Sequence, residues 1–291
     1  MDVVQVMFSG LAVGCVYALI AFGFVLIYKA TEIVNFAQGE LMMMGAIGGV
    51  ILMQWLHLPF LWAALCAVLL MAGLGALVER LTIRPVLGRP QFTVVMLTIG
   101  LGYLARGVVT MIPGVGTDTT VLEAPYRGTV WEIGGVMLGA EHGIIILVSA
   151  ALAIALYALF HFTLIGIAMQ ATSQNQIAAY YMGIPVRRLN GVVWALSAAV
   201  AAIAGLLLAP VTFVHANMGL IGLKAFPAAI IGGFGSLPGA VVGGLTIGLV
   251  ESLAGFYLPE GFKDVAAYVV ILVMLVIRPR GFFGRKQGKK V

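Results

Sequence analysis

Charge is scarce in this sequence. Asp, Glu, Lys and Arg supply 9% of its 291 residues, and hydrophobic residues supply 62%. An ordinary soluble domain is about 25% charged. The deficit excludes a water-soluble globular chain and places the protein in the membrane class. Cysteine is nearly missing as well. Cys15 and Cys66 both fall in apolar stretches, so they read as small apolar core residues rather than a disulfide or metal pair. No P-loop pattern occurs, which excludes ATP hydrolysis by this chain. The run Gly100-Leu101-Gly102-Tyr103-Leu104-Ala105 has dinucleotide-site spacing but lies inside an apolar span rather than after a strand. His57, His142, His161 and His215 are scattered and form no His-x-x-x-His pair. No nucleophile elbow is present. The expectation is therefore a protein with no catalytic residues, no metal and no cofactor.

What is present is apolar sequence in blocks, near 6–28, 40–56, 60–78, 92–112, 143–160, 191–211, 225–257 and 264–277. The first block reaches roughly 34 Å as a helix, enough to cross a bilayer. It is not preceded by a basic run, so no cleavable leader is expected. The pattern predicts an all-α polytopic membrane protein of about eight transmembrane segments in one permease-sized domain, residues 1–291. The second block is short and opens at Glu40, as a half-span or a tilted helix would. The last is short too, but Arg278 can snorkel to lengthen it. The seventh is too long for one helix. Gly232-Gly233-Phe234-Gly235-Ser236-Leu237-Pro238-Gly239 interrupts it. Residues 225–257 are thus expected to form a broken or re-entrant element facing the bundle interior, because lipid does not tolerate exposed irregular backbone. Glycines four apart, at Gly10/Gly14, Gly235/Gly239/Gly243 and Gly244/Gly248, predict close helix packing.

Basic residues cluster in three places: Arg80, Arg84 and Arg89; Arg187 and Arg188; and the tail from Arg278 to Lys290. Residues 113–141 carry Asp118, Glu123, Glu132 and Glu141 against Arg127 alone. Short basic loops stay in the cytoplasm. The pattern therefore predicts a cytoplasmic loop at 161–190, a cytoplasmic C-terminus and an outward-facing loop at 113–141. It reads as a topology signal rather than a nucleic-acid site. Within the apolar blocks, Glu251 and Arg106 stand out. Ionisable groups there should face the bundle or water, as a pathway residue or an internal ion pair, and Arg106 suits an acidic partner.

Four stretches in order resemble one known family. The first is Gly14-Cys15-Val16-Tyr17-Ala18-Leu19-Ile20-Ala21 with Ile33-Val34-Asn35-Phe36-Ala37-Gln38-Gly39-Glu40. The second is Ala178-Ala179-Tyr180-Tyr181-Met182-Gly183 with Ile184-Pro185-Val186. The third is Ala229-Ile230-Ile231-Gly232-Gly233-Phe234-Gly235-Ser236-Leu237-Pro238-Gly239-Ala240, continuing to Glu251. The fourth is Arg278-Pro279-Arg280-Gly281-Phe282-Phe283-Gly284. Together they resemble the membrane permease subunits of Liv-type ABC importers for branched-chain amino acids.

The resemblance implies a multi-pass subunit of the bacterial cytoplasmic (inner) membrane. It would pair with a second, often non-identical permease subunit, two ABC ATPase subunits and a periplasmic or surface substrate-binding protein. Leucine, isoleucine and valine are the implied cargo; related permeases are associated with urea, amides or aromatic acids. Coupling to the ATPase falls to Gln176, Ile177, Ala178, Ala179 and Gly183, on a lever helix at 168–182. Pathway or gating roles fall to Asn35, Gln38, Glu40, Gly232, Gly233, Phe234, Gly235, Ser236, Pro238 and Glu251. The docking motif is usually written E-A-A-x-x-x-G, and Ile177 replaces its Glu. The segment around Tyr126 and Trp131 suits either a cap over the pore or a contact with the binding protein. An ion-coupled carrier is the competing class. It would show paired broken helices, whereas this sequence shows one clear break.

Overall fold

The first helix is apolar on every side, and such a helix is stable only where neighbours cover all of it. The computed structural model describes residues 2–133, 136–259, 261–278 and 281–284. It places this helix, α1 (Asp2–Thr31), at the centre of the bundle. Around it run α2 (Gln38–Leu56), α3 (Phe60–Val78), α4 (Gln91–Thr110), α5 (Ala140–Phe162), α6 (Leu164–Gln174), α7 (Gln176–Tyr181), α8 (Val186–Leu208), α9 (Leu220–Gly232), α10 (Leu237–Tyr257) and α11 (Phe262–Ile277). Helices α10, α8, α9 and α5 pack on α1, burying Val16, Ile20, Val25 and Ile27 completely. Peripheral helices turn Leu69, Phe92, Leu147 and Leu272 outward, a surface suited to lipid or another apolar protein face.

Seven of these helices are long and apolar enough to cross a membrane. With α11, of 16 residues, they make up the expected set of about eight. The α1–α10 crossing uses the glycines spaced four apart. A Cβ on Gly14 would sit 2.9 Å from Leu245 Cα and 3.0 Å from the Gly244 carbonyl, and one on Gly248 would overlap the Gly14 backbone.

The two ends of the bundle differ. At the basic end, α3 runs on through a π-turn (Glu79–Ile83) and a 3-10 turn (Arg84–Val86). Arg84 there binds buried Glu79 with two hydrogen bonds of 2.6 and 3.1 Å and donates to the Arg187 carbonyl at 3.1 Å. The α6–α7 loop and the C-terminal residues 281–284 share this end. Phe282 and Phe283 donate their N–H groups to the carbonyls of Ile231 and Gly232, closing the open end of α9. At the opposite end, strands β1 (Val130–Ile133) and β2 (Val136–Gly139) form an antiparallel hairpin pairing Val130 with Gly139, which the apolar pattern does not announce. Tyr126 packs edge-on against Phe60 beside it. Burial, helped by the Glu141 carboxylate, pushes the Tyr126 hydroxyl up to about 12.

The broken element expected over 225–257 is two helices, α9 and α10, joined as an antiparallel hairpin by the turn at 232–239 near the basic end. Two sequence expectations need correction. The single lever helix expected over 168–182 is two helices divided at Asn175, whose extended backbone caps α7. The chain also holds two interruptions at mid-depth rather than one clear break. After α1, residues 32–37 double back, so that Gln38 lies beside Gly23. After α8, the chain passes Val214, which pairs with Thr120 through backbone hydrogen bonds of 2.8 and 2.9 Å, and resumes helix only at Leu220. Helices α2 and α9 thus both start inside the bundle and run to opposite ends.

Candidate functional site

The two interrupted helices start against each other. A Cβ on Gly39 would overlap the Gly219 carbonyl and sit 3.0 Å from Gly222 Cα, so only glycine allows this approach. The depth is set by neighbours. Ser197, at the midpoint of α8, has its hydroxyl 3.0 Å from Gln38 Oε1 and 3.1 Å from the Gly23 carbonyl. Gln38 Nε2 donates to the Ser197 carbonyl at 3.3 Å. Thr98, near the middle of α4, accepts from the Phe36 N–H at 3.2 Å. Asn35 caps its own turn by accepting from the Ala37 N–H at 3.1 Å, and its Nδ2 donates to Gln38 Oε1. Non-helical backbone at this depth needs such internal partners, because lipid offers none.

Glu40 occupies the first turn of α2 and faces the start of α9, where its carboxylate fills the space a Gly219 side chain would need. Arg106 of α4 donates to Glu40 Oε1 and lies 5.9 Å over the Tyr103 ring. The acidic partner that Arg106 suits is therefore Glu40. Two helix N-termini and a guanidinium surround one carboxylate. Glu40→Ala should cost about 3–5 kcal/mol, because it strands a largely buried cation. The expected result is a clear fall in the thermal midpoint of the purified protein in detergent. Glu40→Gln, which keeps a hydrogen-bond acceptor, should fall less.

The other pathway candidates lie elsewhere. Glu251 accepts from Tyr17 Oη at 2.6 Å and from Lys224 Nζ at 3.1 Å, and Lys224 also reaches Asp264 at 2.6 Å. This network ties α1, α9, α10 and α11 together away from the junction. Gly232, Gly233, Phe234, Gly235, Ser236 and Pro238 build the α9–α10 turn. Gly233 has φ +92°, Ser236 Oγ caps α10 by accepting from the Gly239 N–H at 3.1 Å, and the Phe234 ring lies 5.0 Å from that of Tyr28. Of the residues chosen from sequence, the junction gathers Asn35, Gln38 and Glu40. Sequence reading missed Ser197, Thr98, Gly219 and Gly222. The one signal for the last pair was a Gly-x-x-Gly immediately ahead of an apolar block.

The α6–α7 loop is held rigidly. Gln176 Nε2 donates to the Ala30 carbonyl at 2.7 Å, at the end of α1, and Asn175 Oδ1 accepts from the Ala178 N–H at 3.0 Å. Ala179 is buried, whereas Ile177 is 70% exposed and Tyr181 and Met182 more so. The helix ends as glycine-terminated helices do. Gly183 has φ +86°, and the Ile184 N–H returns to the Ala179 carbonyl at 3.0 Å.

Interrupted helices meeting in the middle of a multi-pass bundle, with charge buried between them, are an arrangement found in membrane transport proteins. The comparisons with known proteins narrow that class. The chain belongs to the family described as branched-chain amino acid transport system, permease component, which matches residues 6–278. It is 30% identical over 302 aligned residues to the high-affinity branched-chain amino acid transport system permease protein LivH of Salmonella typhimurium, covering 99% of this chain and 97% of that one. It is 28% identical over 299 residues to the corresponding permease protein BraD of Pseudomonas aeruginosa, with the same coverage. Among solved structures, PsaBC from Streptococcus pneumoniae in complex with Fab superposes with a TM-score of 0.51 at 15% identity, over 94% of this chain and 92% of that one. That likeness concerns the fold alone.

Proposed function

We propose that the chain is one pore subunit of an ATP-driven importer that carries leucine, isoleucine and valine across the bacterial inner membrane. The observation that carries this reading is the end-to-end match to the permease family, joined by relatives whose names state branched-chain amino acid transport. The substrate passes the mid-depth junction around Asn35, Gln38 and Glu40. A second permease subunit covers the apolar face that α4 leaves open, and lipid covers the rest. Two separate ATPase subunits dock on α6–α7 at the basic end, which is cytoplasmic together with the C-terminus. The acidic opposite end, including Tyr126 and Trp131, meets the binding protein. Coupling needs only that the ATPases bind the inward-open and outward-open arrangements with different free energies. The Ala30–Gln176 hydrogen bond gives docking a direct link to α1, and through α1 to the core.

Reconstitution of the chain with a partner permease, ATPase subunits and a branched-chain amino acid-binding protein tests this reading. Leucine uptake should require ATP and stop on its removal. Uptake that persists without ATP but collapses with the ion gradient would instead assign the chain to ion-coupled carriers.

A further inference from the structure

The Glu40–Arg106 pair carries more capacity than a structural ion pair needs. Glu40 Oε2 and Arg106 Nε are buried with no hydrogen-bond partner among the described residues, whereas buried polar atoms are nearly always bonded. Glu40 itself is 8% exposed, and it stands where the starts of α2 and α9 converge, a setting that attracts a carboxylate. The pair is nevertheless within reach. The Arg106 side chain keeps 23% of its surface, and Tyr103 beside it faces outward on α4. An aromatic pair flanks the same helix starts in sequence. Phe36, four residues before Glu40, and Phe226, one turn after Gly222, hold their rings 5.4 Å apart.

We propose that Glu40 and Arg106 form a subsite for the head group of a zwitterionic amino acid. The substrate α-carboxylate takes the Arg106 guanidinium, and its α-ammonium takes the Glu40 carboxylate. This rests on the reading of the chain as an amino-acid permease. The chemistry favours a zwitterion over either charged half. When the protein's own pair opens around a zwitterion, one buried ion pair becomes two, and no charge is left alone. A plain aliphatic amine would satisfy Glu40 and strand Arg106, and a plain acid would do the reverse; stranding one partner of a buried pair is strongly unfavourable. Between substrates the pair closes on itself and keeps the junction neutral. The aliphatic chain then rests near Phe36 and Phe226, which select by size and apolarity alone.

The test uses the full-length chain in lipid nanodiscs, with whatever subunits copurify and without any binding protein, so that selection elsewhere does not intervene. Saturation-transfer NMR follows L-leucine, 3-methylbutylamine and 4-methylpentanoate, which share the aliphatic chain and differ in the head group. L-leucine should give a saturable signal, and the amine and the acid should need roughly 10- to 100-fold higher concentrations to compete, the range expected for losing a charged hydrogen-bonding partner. Arg106→Gln and Glu40→Gln should each weaken leucine by a similar factor while retaining a cooperative melt. Equal competition by all three compounds, or no saturable leucine signal from folded wild-type protein, overturns the subsite. The analogue series on wild-type protein decides the matter even if both variants misfold. Failure of the transport reading looks different: the reconstituted assembly would not take up leucine at all.

Discussion

Gly248→Leu is expected to prevent the bundle from assembling, whereas Gly73→Leu leaves it intact. At Gly248 a Cβ would overlap Gly14 Cα and N and approach the Gly10 carbonyl. These are backbone atoms of the central helix, and no rotamer change removes them. Overpacking by side chains alone costs about 1–3 kcal/mol; here α1 would have to move off α10 along its whole length. Set against total stabilities of about 5–15 kcal/mol, such a shift is decisive. Gly73 lies on the outer face of α3 with nothing within 4 Å of a built Cβ. Size-exclusion profiles of the two variants in mild detergent check the contrast: aggregated or absent for Gly248→Leu, monodisperse for Gly73→Leu. Equal profiles would mean that the α1–α10 contact is not the spine of the fold.

Gly183→Pro should separate coupling from folding. The glycine holds φ +86°, and its N–H donates to the Tyr180 carbonyl at 3.0 Å. Proline can supply neither that angle nor that donor. Strain of about 1–3 kcal/mol is relieved most cheaply by moving the short α7 helix out of place. Such a shift corresponds to roughly 5- to 150-fold in a coupled equilibrium, so ATP-dependent uptake should fall by about that range. The spans do not depend on this loop, and the amount of protein in the membrane should stay near normal. Ala179→Trp, which forces a large ring into a buried position, should give the same split. Normal uptake in both variants would remove α7 from the coupling role.

Charge placement and glycine spacing were legible because each reflects a local rule. Few charges survive in lipid, and basic loops gather at one end. Glycines four apart face one neighbour, so Gly14 and Gly248 announce a tight crossing without saying which helices cross. The mid-depth junction was not legible, for a physical reason. Residues 32–37 look like any short polar loop, since Thr98, which accepts from the Phe36 N–H, lies 62 positions away and Ser197, which holds the Gln38 side chain, lies 159 positions from it. Hydropathy registers where apolar sequence starts, not that a chain has turned back on itself first. The same blindness left the depth of the Gly232–Gly239 interruption open. A helix-breaking run marks a turn equally well at mid-depth or at the rim, and only the tail docked beneath it distinguishes the two. Glu40 and Arg106 were each noticed alone; their meeting depends on α2 starting deep, which no window of sequence contains. Division of the coupling loop at Asn175 was a smaller miss. Asn is a strong N-cap, and its place just ahead of Gln176-Ile177-Ala178 marks the start of a new helix.

The docked tail also has a meaning in time. The carbonyls of Ile231 and Gly232 are satisfied by the N–H groups of Phe282 and Phe283, which leave the ribosome some fifty residues after them. Helix α9 therefore enters the membrane unfinished, and its last turn is sealed only once Phe282 and Phe283 have been made and folded back onto it. A chain stalled or cut before Phe282 carries that turn open, so the end of α9 and the segment after α11 mature together.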